Sequence, residues 1–187
     1  MRSALIRTDR YSSVAIAFHW TIAALVLINL AIGLFHDAMP RGWGVMPIHK
    51  AIGITVLVLS LGRLAWRLSH RPPPFAPETA AWERASARLV HASFYVLMIV
   101  LPLSGWAMSS YGEPSPRPLT WFGLFDIPYL PVDKAMAGAA GDAHELLGYV
   151  MAALLVLHVA AALRHHLILR DATLARMAPI LRRPSAS

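Results

Sequence analysis

Four long runs of apolar residues organise the chain: Val14 to Phe35, Ile48 to Leu68, Ala87 to Met108 and Ala143 to Leu169. At about 1.5 Å per residue each run can cross a hydrocarbon layer of roughly 30 Å, so each predicts a transmembrane helix. Polar residues gather between the runs. The first connection, around "HDAMPRGWGVMP", is short, and the second, "SHRPPPFAPETAAWER", is rich in proline. Pro72, Pro73 and Pro74 predict the end of the second helix, because proline lacks the backbone donor a helix needs. The third connection, Ser109 to Asp142, is the longest. The expected fold is all-α, an integral membrane four-helix bundle forming a single domain over residues 1–187, with neither an internal repeat nor a nucleotide-binding glycine motif.

Composition agrees with that pattern. Hydrophobic residues make up 57% of the chain and charged ones 14%, which departs from the usual soluble profile. Val14 to Phe35 is longer than a secretory signal core and is read as helix one. The absence of cysteine excludes disulfides, iron–sulfur clusters and the covalent attachment of a c-type haem, so any haem is held noncovalently. The net charge of +7 is informative through its distribution. Most of the basic residues fall in three regions: Arg2, Arg7 and Arg10; Arg63, Arg67, Arg71, Arg84 and Arg88; and Arg164, Arg170, Arg176, Arg182 and Arg183. The positive-inside rule places all three on the cytoplasmic side, with both termini, so the basicity is a topology signal and predicts no nucleic-acid partner. Within the third connection, "LTWFGLFDIPYL" offers Trp121, Phe122, Phe125 and Tyr129 either as an interfacial aromatic anchor or as a cover over a cofactor or substrate entrance. The tail "RRPSAS" is expected to be loose.

Histidines inside the apolar runs carry the chemistry, because an imidazole in hydrocarbon needs a partner. His144 and His158 lie fourteen residues apart, four turns less about 40°, so they share a helix face while standing roughly 21 Å apart along it. They cannot hold one ion. Two sites stacked across the membrane follow, and a six-coordinate b-type haem, which takes one axial imidazole on each side of its ring, suits both. Depth suggests the partners. Helices two and four run in the same direction, and His49 near the start of one matches His144 near the start of the other, giving an outer pair. His19 in helix one is close to the depth of His158, giving an inner pair, although His91 in helix three competes with His19 for that place.

Arg63 repeats the fourteen-residue spacing after His49 and reaches the inner level, where a haem propionate would offer a matching anion; snorkelling to the interface is the alternative for Arg63 and the favoured reading for Arg67. Small residues one turn from the histidines, Ala23, Gly53 and Gly148, would leave room for a planar group, or would simply let helices pack closely. His36, His70, His165 and His166 fall at helix ends and are assigned no ligand role.

The stretches "FHW", "IHKAIGITVLVLSLGRLAWRL", "HASFYVLMIVLPLSGWAM" and "HELLGYVMAALLVLHVAAALRHH", taken in order, resemble the prokaryotic cytochrome b561 family over nearly the whole chain. The resemblance implies a multi-pass protein of the bacterial inner membrane holding two haems b, with axial ligands His19, His49, His144 and His158. It implies electron transfer between a quinone and a second redox partner, and some members of the family are superoxide oxidases that pass the electron from superoxide to ubiquinone.

Superoxide-to-quinone oxidoreduction is therefore the leading expectation. Lys50, directly after His49, with Arg41 and Lys134 on the same side, would attract the anion, and His91 is a candidate to hydrogen-bond a quinone at the inner side. Two alternatives stand beside it: a haem b subunit of a larger dehydrogenase docked to a redox protein partner, or a transporter or metal-handling protein whose intramembrane histidines relay protons or bind metal.

Overall fold

The computed structural model describes residues 11–75, 79–112, 116 and 118–181. Arg2, Arg7, Arg10, Arg182 and Arg183 of the charge pattern, and the tail "RRPSAS", lie outside the described residues.

Four helices dominate, and local chemistry sets their ends. Helix α1 (Ser13–Phe35) begins where the Ser12 hydroxyl accepts the Ala15 N–H at 3.2 Å. Helix α2 (Val45–Ser69) follows Gly44, whose φ of 56° suits a residue without Cβ, and it stops just before the proline run. Helix α3 (Ala81–Ser109) opens with the Glu83 carboxylate accepting the Ala80 N–H at 3.2 Å. Helix α4 (Lys134–Leu163) is capped by Asp133, which accepts the Met136 N–H at 2.8 Å, and continues through a π-helical turn, Arg164–Leu169. Thus α3 starts at Ala81 rather than Ala87 and α4 at Lys134 rather than Ala143. The shortest candidate span, α2 with 25 residues, covers ~37 Å, enough for a bilayer core.

The helices pack in chain order, α1 on α2, α2 on α3 and α3 on α4, while α4 meets α1 only lightly. The core is a central band of Ile22, Ile52, Val56, Leu97, Met98 and Met151. Outward, Leu27, Ile28, Val58, Val96, Val156 and Leu157 are exposed. An apolar exterior around helices that satisfy their own backbone groups is what a lipid environment requires, and this is a membrane protein.

The long connection between α3 and α4 folds back over one end of the bundle, the hairpin end. It forms two short antiparallel strands, β1 (Thr120–Trp121) and β2 (Phe125–Asp126), with Trp121 opposite Phe125. Leu119 and Ile127 are buried beneath them, and the Trp121 indole N–H donates to the Thr55 hydroxyl on α2 at 3.0 Å. Trp121 is therefore half-buried and tied to α2, whereas Phe122, Phe125 and Tyr129 stay exposed.

At the opposite, terminal end the chain turns at Arg170, φ 56°, and runs back as a strap. His165 bonds Asp171 at 2.5 Å, the Trp20 N–H of α1 donates to the Met177 carbonyl at 2.8 Å, and Arg176 donates to the Pro74 carbonyl at 2.6 Å. The strap thereby links α4, α1 and the α2–α3 connection.

Candidate functional site

At the hairpin end His49 of α2 and His144 of α4 face each other across the bundle, with ring centres 6.0 Å apart and planes at 82°. Each ring is held in the same way. His49 Nδ1 lies 3.1 Å from the Asn29 carbonyl of α1, and His144 Nδ1 lies 3.0 Å from the Leu101 carbonyl and 3.2 Å from the Ser104 hydroxyl of α3. A carbonyl can only accept, so Nδ1 carries the proton in both rings and Nε2 keeps its lone pair. Both rings also rest on a glycine of the neighbouring helix. A Cβ on Gly33 would come within 3.0 Å of His49 Cε1, and one on Gly105 within 2.9 Å of His144 Cε1. Gly33 and Gly105 each stand one helical turn after the residue whose carbonyl takes the proton, so the two cradles share one construction.

At the terminal end His19 of α1 and His158 of α4 stand 6.4 Å apart, planes at 69°. His91 of α3 is 5.7 Å from His158, and Phe94 packs edge-on to His158 at 5.4 Å. Arg63 and Arg67 both bring their guanidinium groups over Tyr95, at 5.5 and 5.9 Å, and Arg63 is within electrostatic reach of His19 and His158. Arg67 thus turns toward α3 in company with Arg63. Trp66 contributes a buried indole N–H with no partner among the described residues.

These pairs can be tested against an iron. With metal–nitrogen bonds of roughly 2.0–2.1 Å and about 1.2 Å from each nitrogen to its ring centre, two opposed imidazoles stand about 6.4 Å apart. The 6.4 Å of His19 and His158 matches that spacing, the 6.0 Å of His49 and His144 is slightly inside it, and the 5.7 Å of His91 and His158 is shorter still. Among the described residues no three His, Asp or Glu side chains converge as a protein-built metal centre demands. Two imidazoles leave the remaining coordination positions to a group that brings its own ring of donors, which is what a haem does.

Other candidates fall into place around the pairs. Lys50 is half-buried beside His49. His36, His70 and His165 bond groups at helix ends: the Gly33 carbonyl, the Trp66 carbonyl and Asp171. Burial pushes the Asp171 carboxyl up, but hydrogen bonds from His165 and Thr173 outweigh it and hold the group below its ordinary range. Gly148 has open space at its Cβ position, while Gly53 faces the Asn29 amide at 3.7 Å. Sequence reasoning missed the cradle residues Asn29, Gly33, Leu101, Ser104 and Gly105; a small residue on a neighbouring helix at the depth of each histidine was the available signal.

Comparison with known proteins agrees with this geometry. Residues 10–179 match the model of the family described as prokaryotic cytochrome b561. The chain is similar to Cytochrome b561 homolog 2 of Escherichia coli (strain K12), 34% identical over 174 residues that cover 90% of this chain and 91% of the relative. It is also similar to the Probable superoxide oxidase CybB of Yersinia pestis, 32% identical over 91% of this chain and 96% of the relative. A third relative, Cytochrome b562 of Cereibacter sphaeroides, is 29% identical over 89% of this chain and 94% of its own length. The chain belongs to the prokaryotic cytochrome b561 family, membrane helical bundles that transfer electrons through b-type haem.

Proposed function

We propose that residues 1–187 form one cytochrome b561-like domain that carries electrons through two haems b across the bacterial inner membrane, as a superoxide:ubiquinone oxidoreductase. His49 and His144 would hold the outer haem, and His19 and His158 the inner one. The observation that carries the reading is the pair of stacked histidine couples, each spaced for one iron and, at the hairpin end, each with Nε2 left free. Arg63, over Tyr95 near the inner couple, would neutralise a haem propionate, and His91, offset from the 6.4 Å couple, would bond a propionate or a quinone carbonyl. Arg63, Arg67, Arg71, Arg84, Arg88, Arg164, Arg170 and Arg176 favour the terminal end as the cytoplasmic one.

Bound haem supplies a reversible one-electron carrier; the protein's part is to hold, orient and insulate it. The carbonyls of Asn29 and Leu101 fix the tautomer of the outer ligands, and the core band between the pairs excludes water. Two superoxide anions each give up one electron and leave as dioxygen, and one ubiquinone takes both electrons with two protons to become ubiquinol. Lys50, with Arg41 and Lys134 on the outer side, steers the anion inward. The name borne by the Yersinia pestis relative supports this choice of donor. Stopped-flow mixing of the oxidised protein with superoxide tests it. Rapid haem reduction in the absence of quinone, and ubiquinol formation once ubiquinone is added, are expected; haem that stays oxidised under superoxide with no quinone present would exclude the assignment.

A further inference from the structure

The two pairs differ in what surrounds them, and the difference has a sign. Each outer ligand, His49 and His144, passes its Nδ1–H to a backbone carbonyl while its Cε1 corner rests against a glycine; Ser104 reinforces the second bond by accepting from His144 and donating to the Leu101 carbonyl at 2.8 Å. Neither construction recurs at His19 or His158 among the described residues. There Arg63 is within electrostatic reach of both rings and Arg67 shares the Tyr95 face with it, whereas at the outer pair Lys50 reaches His49 alone.

A hydrogen bond from the far nitrogen of a ligand imidazole to a carbonyl makes the ring a stronger donor, which favours the oxidised iron. A fixed positive charge nearby favours the state holding one more electron. Pairing of Arg63 with a propionate keeps the same sign, since without the guanidinium that carboxylate would stand uncompensated. We propose that the carbonyl and glycine cradles make the outer site the lower-potential one, that Arg63 makes the inner site the higher-potential one, and that electrons therefore run downhill from the hairpin end to the terminal end. Ser104 is a positioning residue, acting through His144.

This ordering rests on the two-haem reading, and a spectroscopic redox titration of the purified holoprotein separates the two. Fewer than two haems per chain would overturn the reading itself. With two present, His19→Ala should remove the higher-potential component. Arg63→Gln should move that component downward and leave the other in place, while Arg63→Lys, which keeps the charge, should leave it close to the wild-type position. Ser104→Ala should move only the lower component, and upward. Loss of the lower component in His19→Ala, an upward shift in Arg63→Gln, or a downward shift in Ser104→Ala would overturn the ordering.

Discussion

Gly105→Ala places a methyl group where the His144 ring now rests. Its Cβ would lie 2.9 Å from Cε1 and 3.1 Å from Nδ1. Non-bonded carbons settle at about 3.5–4.0 Å, so the ring must retreat by roughly 0.6 Å or more. The 3.0 Å contact from Nδ1 to the Leu101 carbonyl then stretches toward about 3.6 Å, beyond a hydrogen bond. Overpacking costs about 1–3 kcal/mol and the better helix propensity of alanine returns about 1, so the fold should lose no more than about 2 kcal/mol. Haem binding should suffer more, since loss of a ligand's outer partner lowers metal affinity about 10- to 100-fold. The assay is the haem-to-protein ratio after purification, with the rate of haem transfer to an excess of apomyoglobin. Gly138→Ala, which meets nothing within 4 Å, is the control. A Gly105→Ala protein that keeps both haems and releases them no faster than Gly138→Ala would refute the cradle.

His19→Ala and His158→Ala should disturb one spectral component and His49→Ala and His144→Ala the other, while His91→Ala keeps two low-spin haems. An intact spectrum in His19→Ala with a haem lost in His91→Ala would reverse the inner assignment. Lys50→Glu should slow superoxide-driven haem reduction several-fold at low ionic strength, and added salt should narrow the gap, because steering between exposed charges is screened; equal rates at all ionic strengths would remove Lys50 from the approach path. The Asp171 carboxyl is held below its ordinary value by His165 and Thr173, so its contribution to docking the strap is present above the unfolded carboxylate range and is lost as pH falls through the lowered value. Proteolysis of the 170–181 segment should accelerate at acid pH in the wild type and already be fast near neutrality in Asp171→Asn; equal rates near neutrality would show that the clasp does not hold the strap.

Much of this was legible along the chain. Apolar runs marked the spans, and the fourteen-residue interval on α4 forced two levels, because helix geometry converts spacing directly into depth. Contacts between helices were less accessible. Gly33 and Gly105 matter through the rotation and height of α1 and α3 against their neighbours, which the periodicity of one helix leaves open. The early start of α4 was hidden because "KAMAGAAGD" is rich in small residues with weak local signals, whereas Asp133 caps it firmly. The hydrogen bond of Trp121 to Thr55 joins positions sixty-six apart. Its aromatic composition alone fitted an interfacial anchor equally well. Likewise the clasp of His165 with Asp171, and the reach of Trp20 to Met177, exist only once α4 has turned back on itself.

The central claim is two haems, each between two histidines. Low-temperature electron paramagnetic resonance of the oxidised protein, combined with haem quantitation, addresses it most directly. Imidazole planes at 69° and 82° leave the two iron orbitals that they split nearly equal in energy. Two haems per chain are therefore expected, both low-spin, with the strongly anisotropic signals that crossed ligand planes produce. One haem per chain, or a high-spin signal from an iron with a single histidine, would contradict the account.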